Sequence, residues 1–303
     1  MGRYLGKTIE TLISFWILVT ASFFLLRLLP GGPFDHEQTL SLPVYNQLNS
    51  SWGLDRPLVE QYFFYVKSLL SGQMGISYFQ PEISVGQIIV QSFSRTVNLD
   101  IIALLFIFCF AFLFSWILVR FRELGWMKYF NQVIILMGSL PSLFLGPMLI
   151  YLFSFYWDVL PVAFLSEPKS YILPILTLSF RPLSQLTRLL KNAWMDALNE
   201  PFIRTAKSKG LSQNRVLWVH ALRFSISPLL SWLPSLVIAI LAGSVFIELL
   251  FSIPGLGFTF VESINQRDYP IALGATLFYG TITISVSWLS ELIRMRLDPR
   301  GSG

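Results

Sequence analysis

Along most of this chain, apolar residues do not alternate with polar ones. They gather into six runs, at roughly 9–29, 98–119, 130–157, 171–191, 226–250 and 271–293. A helix needs about 20 such residues to cross the hydrocarbon of a bilayer, and each run supplies about that many. The pattern predicts an all-α integral membrane protein with six transmembrane helices, a single transmembrane domain over residues 1–303. Pro141 and Pro147 fall in the third run, Pro174 and Pro182 in the fourth, Pro228 and Pro234 in the fifth. Prolines are tolerated in spans where neighbouring helices re-satisfy the freed carbonyls. They predict bent helices, either around a pathway or as ordinary kinks.

Two of the segments between the runs carry pattern of their own. In the long loop 31–97, Asp55 as N-cap, Pro57 in the first turn and Gly72 as a stop predict a short helix. Leu58, Tyr62, Phe63, Val66, Leu69 and Leu70 give it an apolar stripe, suited to lying on the bundle or in the headgroup region. The other is 199–223, "NEPFIRTAKSKGLSQNRVLWVHALR", basic and punctuated by glycine between two greasy runs. Asn199 is expected to cap a helix of two to three turns, with Pro201 in its first turn and Gly210 at its C′ position. Lys207 and Lys209 sit where the helix dipole favours cations. Ser212 offers a second N-cap, with Leu211 and Val216 at the spacing of a hydrophobic staple. Phe202, Ile203 and Ala206 share one face of the first helix. Such a helix–turn–helix fits either an anchor on anionic lipid or a docking element for a protein partner.

Composition agrees with the pattern. The chain is 54% hydrophobic and 13% charged, about half the charge of a soluble domain. Its +5 net charge does not point to nucleic acid, because the basic residues have an ordering use beside a membrane. Fifteen of the 22 Lys and Arg fall at one set of span ends and five at the other, with Arg27 and Arg181 inside spans. The positive-inside rule then puts both termini and 199–223 in the cytoplasm and 31–97 outside. Arg3 and Lys7 before an apolar run imitate a signal peptide, but the run is too long and no small-x-small site follows. The first run is expected to be a retained span.

Candidate chemistry is sparse. "GRYLGKT" at 2–8 has three residues between its glycines where a phosphate loop needs four, and no strand precedes it. "PGLG" at 254–257 reads as a turn, in a "SIPGLG" stretch expected to fix the start of the sixth span. Cys109 is the only cysteine, so neither an intrachain disulfide nor a Cys/His metal site is expected. His36 and His220 lie on opposite sides in this topology, and Ser139 has no histidine within the membrane to activate it. Glu10, Asp100, Glu248 and Glu291 sit near span ends rather than as a mid-membrane acid pair, which weakens an ion-driven carrier. No catalytic, cofactor or metal site is predicted.

The stretch "FIRTAKSKG…HALR…P" resembles the cytoplasmic signature loop of ABC-importer permeases, in the form of their peptide and nickel branch. The loop's usual Glu-Ala is absent; Arg204, Thr205 and Ala206 stand there, with Gly210 four residues after Ala206. "FFLLRLLPGGPF" after the first span, "WGLDRPLVEQYFFYVKSLLSGQMGISY" in the loop and "IELLFSIPGLGFTFVESINQRDYPI" before the last span are similar to further signatures of the branch. Pro33–Phe34 and the short loop between the third and fourth runs are most like the B-type subunit of oligopeptide permeases.

The resemblance implies a type I ABC importer permease fold in a bacterial inner membrane. It implies a second, homologous permease subunit, two ATPase subunits, an extracytoplasmic substrate-binding protein and a peptide substrate. Phe202, Ile203, Arg204, Thr205, Ala206, Lys207 and Gly210 would form the coupling helix, its apolar face entering a cleft of the ATPase. Arg181, with Gln185 beside it, lies too deep to reach either surface, so these are candidate pathway residues or contacts to a partner subunit. Ser184 is a further candidate partner for Arg181. The alternatives are a permease for dipeptides, nickel chelates or antimicrobial peptides, and, in another class, an ion-driven carrier. A membrane enzyme lacks the residues.

Overall fold

The computed structural model is helical wherever the sequence is apolar, and in several places where it is not. It describes residues 2–28, 31–34, 42–162 and 167–297, apart from the side chains of 2–5, 207, 213, 224–227 and 293–297. In chain order the helices are α1 (Gly2–Arg27), α2 (Leu42–Ser51), α3 (Leu58–Leu70), α4 (Val85–Arg120), α5 (Met127–Ser139) and α6 (Ser142–Ile150). There follow α7 (Ile172–Asn199), α8 (Pro201–Ser208), α9 (Gln213–Arg215), α10 (Leu222–Leu250), α11 (Leu256–Asn265) and α12 (Tyr269–Leu297). Tyr151–Tyr156 and Val216–Ala221 are π-helical turns. Among the described residues the only β-type pairing is an isolated bridge between Ile76 and Ser84, so the all-α class holds.

Not every one of the six runs forms a helix that is apolar throughout. Among the described residues four helices are long and apolar enough to cross a membrane, in α1, α4, α10 and α12, and the bent pair α5–α6 makes a fifth if it is one span. The fourth run is the difference. Its helix α7 is 28 residues long but not apolar enough, because Arg181, Gln185, Arg188, Lys191 and Asn192 fall along it. More than half of α7 is buried, and the buried set includes Thr177, Ser179, Ser184 and Thr187. The hydroxyls of Thr177 and Thr187 donate back to carbonyls one turn earlier, so they need no water. The third run is broken rather than gently bent: Leu140 is extended before Pro141, and the two helices turn by 102°.

The second run starts earlier than its hydropathy suggests. Ser84 and Gln87 make a capping box, Ser84 Oγ accepting from the Gln87 N–H at 3.4 Å and Gln87 Oε1 from the Ser84 N–H at 3.3 Å. From there Val85, Ile89, Ser92, Thr96, Leu99 and Ala103 continue one buried stripe down α4. The predicted loop 31–97 therefore ends at Ser84, and much of the rest is helical in α2 and α3. Pro57, not Asp55, occupies the N-cap position of α3, with no side-chain cap; Gly72 ends it at φ +76°.

Two compact units divide the chain, 1–95 with 254–288 and 96–253 with 289–303. In the first, Val19, Val66 and Leu277 draw α1, α3 and α12 together, and Val85, Ile89, Leu256 and Ala275 join α4, α11 and α12. The "SIPGLG" stretch leads into α11, not directly into the last span. α10 closes on Ser252 at φ +51°, where the Ile253 N–H donates to Glu248 O at 2.8 Å. α11 closes the same way on Arg267 at φ +59°, the Asp268 N–H donating to Ser263 O at 2.8 Å. That second cap sets the direction of α12. Asp268 is held there by the Ser77 hydroxyl and the Ile271 N–H. Burial pushes its carboxyl above the usual range against these donors.

In the second unit α7 is the hub, packed against α5, α6, α8 and α10. Leu173, Leu178, Leu183, Leu186 and Leu190 line its buried face against Leu99, Ile107, Leu149, Leu236, Ile240 and Ile247. Two glycines let helices approach closely in this unit, Gly138 on α5 toward α7 and Gly146 on α6 toward α10. A Cβ on Gly138 would lie 2.7 Å from Ser184 Cβ, and one on Gly146 would collide with Leu250. Ser184 is thus part of the α5–α7 seam rather than a neighbour for Arg181. Gly138→Ala should cost about 1–3 kcal/mol through overpacking. The check is the Tm of the detergent-purified chain, with Ser184→Gly added as a second variant expected to recover part of the loss. A Tm equal to wild type for Gly138→Ala would mean that α5 and α7 do not meet there.

Candidate functional site

α7 has two faces of opposite character. Its buried face is the apolar core just described. On the other, Arg181, Gln185, Arg188 and Asn192 are all exposed, at spacings of four, three and four residues. These spacings make one stripe on a helix, about 16 Å long. Asp196 and Asn199 extend it to the C-terminal end of α7. Lys191 lies off the stripe and donates to Asn131 Oδ1 at 2.9 Å. Hydrocarbon is a poor neighbour for such a stripe, since each mid-membrane charge costs roughly 2.5–3.5 kcal/mol on insertion scales. The sequence-predicted pathway residues Arg181 and Gln185 therefore stand together on a face made for water or for another polar surface.

The segment after α7 folds back on the same helix. α7 ends at Asn199, and Glu200, extended at ψ 146°, fills the cap position expected of Asn199. Asn199 cannot cap α8 because it is still α7's last turn. Pro201 opens α8 as expected. α8 closes on Gly210 at φ +76°, where the Leu211 N–H donates to Ala206 O at 3.4 Å and Leu211 packs on Ala206's cluster. Hydrogen bond and apolar contact together make a Schellman cap. Ser212 caps the next turn through the Arg215 N–H at 3.4 Å, and Leu211 and Val216 share one cluster, as the staple spacing predicts.

The orientation of α8 differs from expectation. Ile203 and Ala206 point into this chain's own interior, at 0% and 5% exposure, against Val119, Trp194, Ala197, Val216, Leu217 and Ala221. The C-terminal ends of α4 and α7 supply the apolar surface they meet, through Val119, Trp194 and Ala197. Their role is to bind α8 to those two helices. Arg120 Nε adds a hydrogen bond to Asn214 Oδ1 at 3.2 Å. The outward side carries Phe202, Arg204, Thr205, Ser208 and Lys209; the side chain of Lys207 lies outside the described residues. Phe202 then opens onto a groove with Val219, His220 and Arg223, which sequence reasoning did not assign. Trp218 and Val219, both exposed beside it, were the readable signal.

The structure also pairs two acids that the sequence reading kept apart. Thr96 and Asp100, one turn apart on α4, face Ser244 and Glu248, one turn apart on α10. All four side chains are buried. In the other unit, Arg27 stacks over Tyr269 at 4.9 Å and Phe23 at 5.4 Å and donates to Gln61. It ends α1 beside a cavity of about 380 Å³ lined with Trp52, Arg56, Tyr65 and Tyr78. Burial pushes the Tyr78 hydroxyl up to about 12 against the pull of Arg27. Among the described residues no group of three metal-ligating side chains occurs.

Comparison with known proteins identifies the family. Residues 111–302, well over half of the chain, match the family described as binding-protein-dependent transport system inner membrane component. The chain is 35% identical to the dipeptide transport system permease protein DppB of Bacillus subtilis, over 99% of this chain and 98% of that one. It is 30% identical to the oligopeptide transport system permease protein OppB of Haemophilus influenzae, over 97% of each. It is 29% identical to OppB of Escherichia coli K12, over 98% of this chain and 97% of that one. Dipeptide and oligopeptide permeases both stand among these relatives, so similarity does not choose between them. This chain belongs to the family of binding-protein-dependent transport system inner membrane components.

Proposed function

We propose that this chain is a permease subunit of an ATP-driven peptide importer, one half of the translocation pathway, set in a bacterial inner membrane with both termini cytoplasmic. The relatives' names supply the substrate class. The observation that carries the mechanism is the attachment of α8: its inner face is packed against the ends of α4 and α7, and its outer face, with Phe202, is exposed. In this reading α8 is the coupling helix. Separate ATPase subunits hydrolyse ATP, and their closure pushes on α8. The push passes to α4 and α7 through the Trp194 cluster, and to α10 through the Val216–Ala221 turn. A second permease subunit and peptide in transit meet the polar stripe of α7, with Arg181 and Gln185 facing the pathway. A substrate-binding protein delivers peptide outside. Such coupling shifts an equilibrium between inward- and outward-open states only through contacts that differ between them.

Co-expression with its ATPase and permease partners, followed by purification in mild detergent, tests the reading. An importer subunit brings partners and shows peptide-stimulated ATP hydrolysis; an ion-driven carrier comes alone.

Three substitutions sharpen it. Gly210→Val places a β-branched residue at φ +76°, with open space around it, so the cost is conformational, about 1–2 kcal/mol or more. Membrane insertion should be unchanged while peptide-stimulated ATP hydrolysis is lost; hydrolysis at the wild-type level would refute the coupling assignment. Phe202→Ala should weaken ATPase pull-down by about tenfold, as loss of an exposed aromatic anchor does, without lowering the Tm. Ile203→Ala should do the reverse first, costing about 2–5 kcal/mol of stability as a core truncation. The opposite pattern would mean that α8 is turned the other way. Arg181→Met should leave the complex assembled and cut peptide transport at least several-fold in proteoliposomes. Loss of assembly instead would assign Arg181 to the partner subunit.

A further inference from the structure

The cavity beside Arg27 takes no part in the coupling path, and every residue that lines it belongs to the first unit. Rings from Phe23, Trp52, Phe64, Tyr65, Tyr78 and Tyr269 build much of its wall. Two arginines are set among them. Arg27, the last residue of α1, stacks on Phe23 and Tyr269, and Arg56 stacks on Phe64 at 4.8 Å. Neither makes an ion pair with a described residue. No acidic residue lines the cavity, and Asp55 lines only its neighbour. The tyrosines do not supply the missing charge. Burial pushes the hydroxyls of Tyr65 and Tyr78 upward, so both stay protonated at neutral pH. Asp268 acts on Tyr78, but its carboxylate accepts from the Ser77 hydroxyl and the Ile271 N–H.

Arg27 is also held in place. The Gln61 amide donates to Leu54 O at 3.1 Å and to Arg56 O at 2.8 Å. Its Oε1 is left to face the Arg27 guanidinium, which donates to it. A guanidinium carries five N–H donors in a flat fork. Arg27 uses this bond to Gln61 and engages the Tyr78 hydroxyl, while its buried Nε has no partner. Ring contacts offset only part of the cost of taking such a charge out of water. A second cavity, of about 860 Å³, shares Arg27, Ser50, Gln61 and Tyr269 with the first. Its wall carries the carboxamides of Asn46, Gln47 and Asn49. Each offers a donor and an acceptor, as a peptide group does. Arg27 thus stands where a ring-lined space meets an amide-lined one. Both spaces fall within the roughly 300–1,000 Å³ of small-ligand pockets.

We propose that the two cavities together bind the C-terminal end of a peptide, with Arg27 pairing its free carboxylate and the ring-lined cavity taking its last side chain. The carboxamides would meet the main chain, which lets many sequences bind. A phospholipid fits less well, because its chains need an apolar wall beyond the phosphate and the second cavity is mostly polar. Arg56 adds to the positive field, and Gln61 acts as a positioning residue for Arg27. The assignment rests on the reading of this chain as part of a peptide importer.

The test is equilibrium dialysis of the radiolabelled tripeptide Ala-Ala-Phe and of its C-terminal amide against the assembled complex in detergent, without the binding protein. The wild type should bind the free acid about tenfold more tightly than the amide, the usual effect of a charge-assisted bond. Arg27→Gln should abolish that ratio by weakening the acid alone, and Arg27→Lys should restore part of it. Gln61→Leu should lower the ratio and spare the amide. Equal binding of acid and amide by the wild type, or binding of neither, would overturn the proposal without recourse to a variant. So would an acid preference that survives Arg27→Gln. Binding of radiolabelled phosphatidylglycerol that depends on Arg27, with no acid preference for the peptide, would make this a lipid site instead. Peptide-stimulated ATP hydrolysis of the same preparation, with the binding protein restored, separates the site from the reading beneath it. Stimulation without acid preference overturns the site alone; acid preference without stimulation keeps the site and overturns the importer reading; loss of both overturns both.

Discussion

Everything in the second unit is arranged around the difference between the two faces of α7. One face is packed among α5, α6 and α10 and is as apolar as any soluble core. The other carries Arg181, Gln185, Arg188 and Asn192 in one line. A helix can satisfy its backbone anywhere in a bilayer, but it cannot turn two guanidinium groups to hydrocarbon without a cost of several kcal/mol. The polar face must therefore be covered by water or by another polypeptide. Half of a translocation pathway, as proposed for this chain, would meet that requirement.

The same helix also ties the core to the segment 199–223. Trp194, fully buried, belongs to α7 and is the centre of the cluster that holds Ile203, Ala206 and Val216. α8 is thus fastened on two sides, by apolar contact to α7 and α4 and by its Schellman cap at Gly210. A short helix held only by its ends would absorb a push by pivoting. One fused to two long helices passes the push on, because close-packed interiors transmit displacement rather than damp it.

Much of this was readable in the sequence, for physical reasons that differ from element to element. The long apolar runs of α1, α10 and α12 are visible because lipid-facing helices must be apolar along their length. The stop at Gly210 and the cap at Ser212 are visible because left-handed backbone and orphan N–H groups select few residue types. The start of α4 was missed because its first turns are amphipathic rather than apolar, although the Ser84–Gln87 box marks it. The inward turn of Ile203 and Ala206 was not readable: an amphipathic helix has the same pattern whether its apolar face meets its own chain or a partner. The Asp100–Glu248 pair was hidden for another reason. Each acid sits in a different helix, and only tertiary packing brings α4 and α10 together at that level.

The exposure of α7's polar stripe to an aqueous pathway is the claim on which the rest stands. It can be measured with spin labels at Gln185→Cys and Asn192→Cys, in a Cys109→Ala background, in the assembled complex in proteoliposomes. Power saturation compares collision with a water-soluble nickel chelate and with oxygen, which concentrates in lipid. The account predicts high nickel and low oxygen accessibility at both positions. High oxygen and low nickel accessibility at both would mean that the stripe faces lipid, and would contradict it.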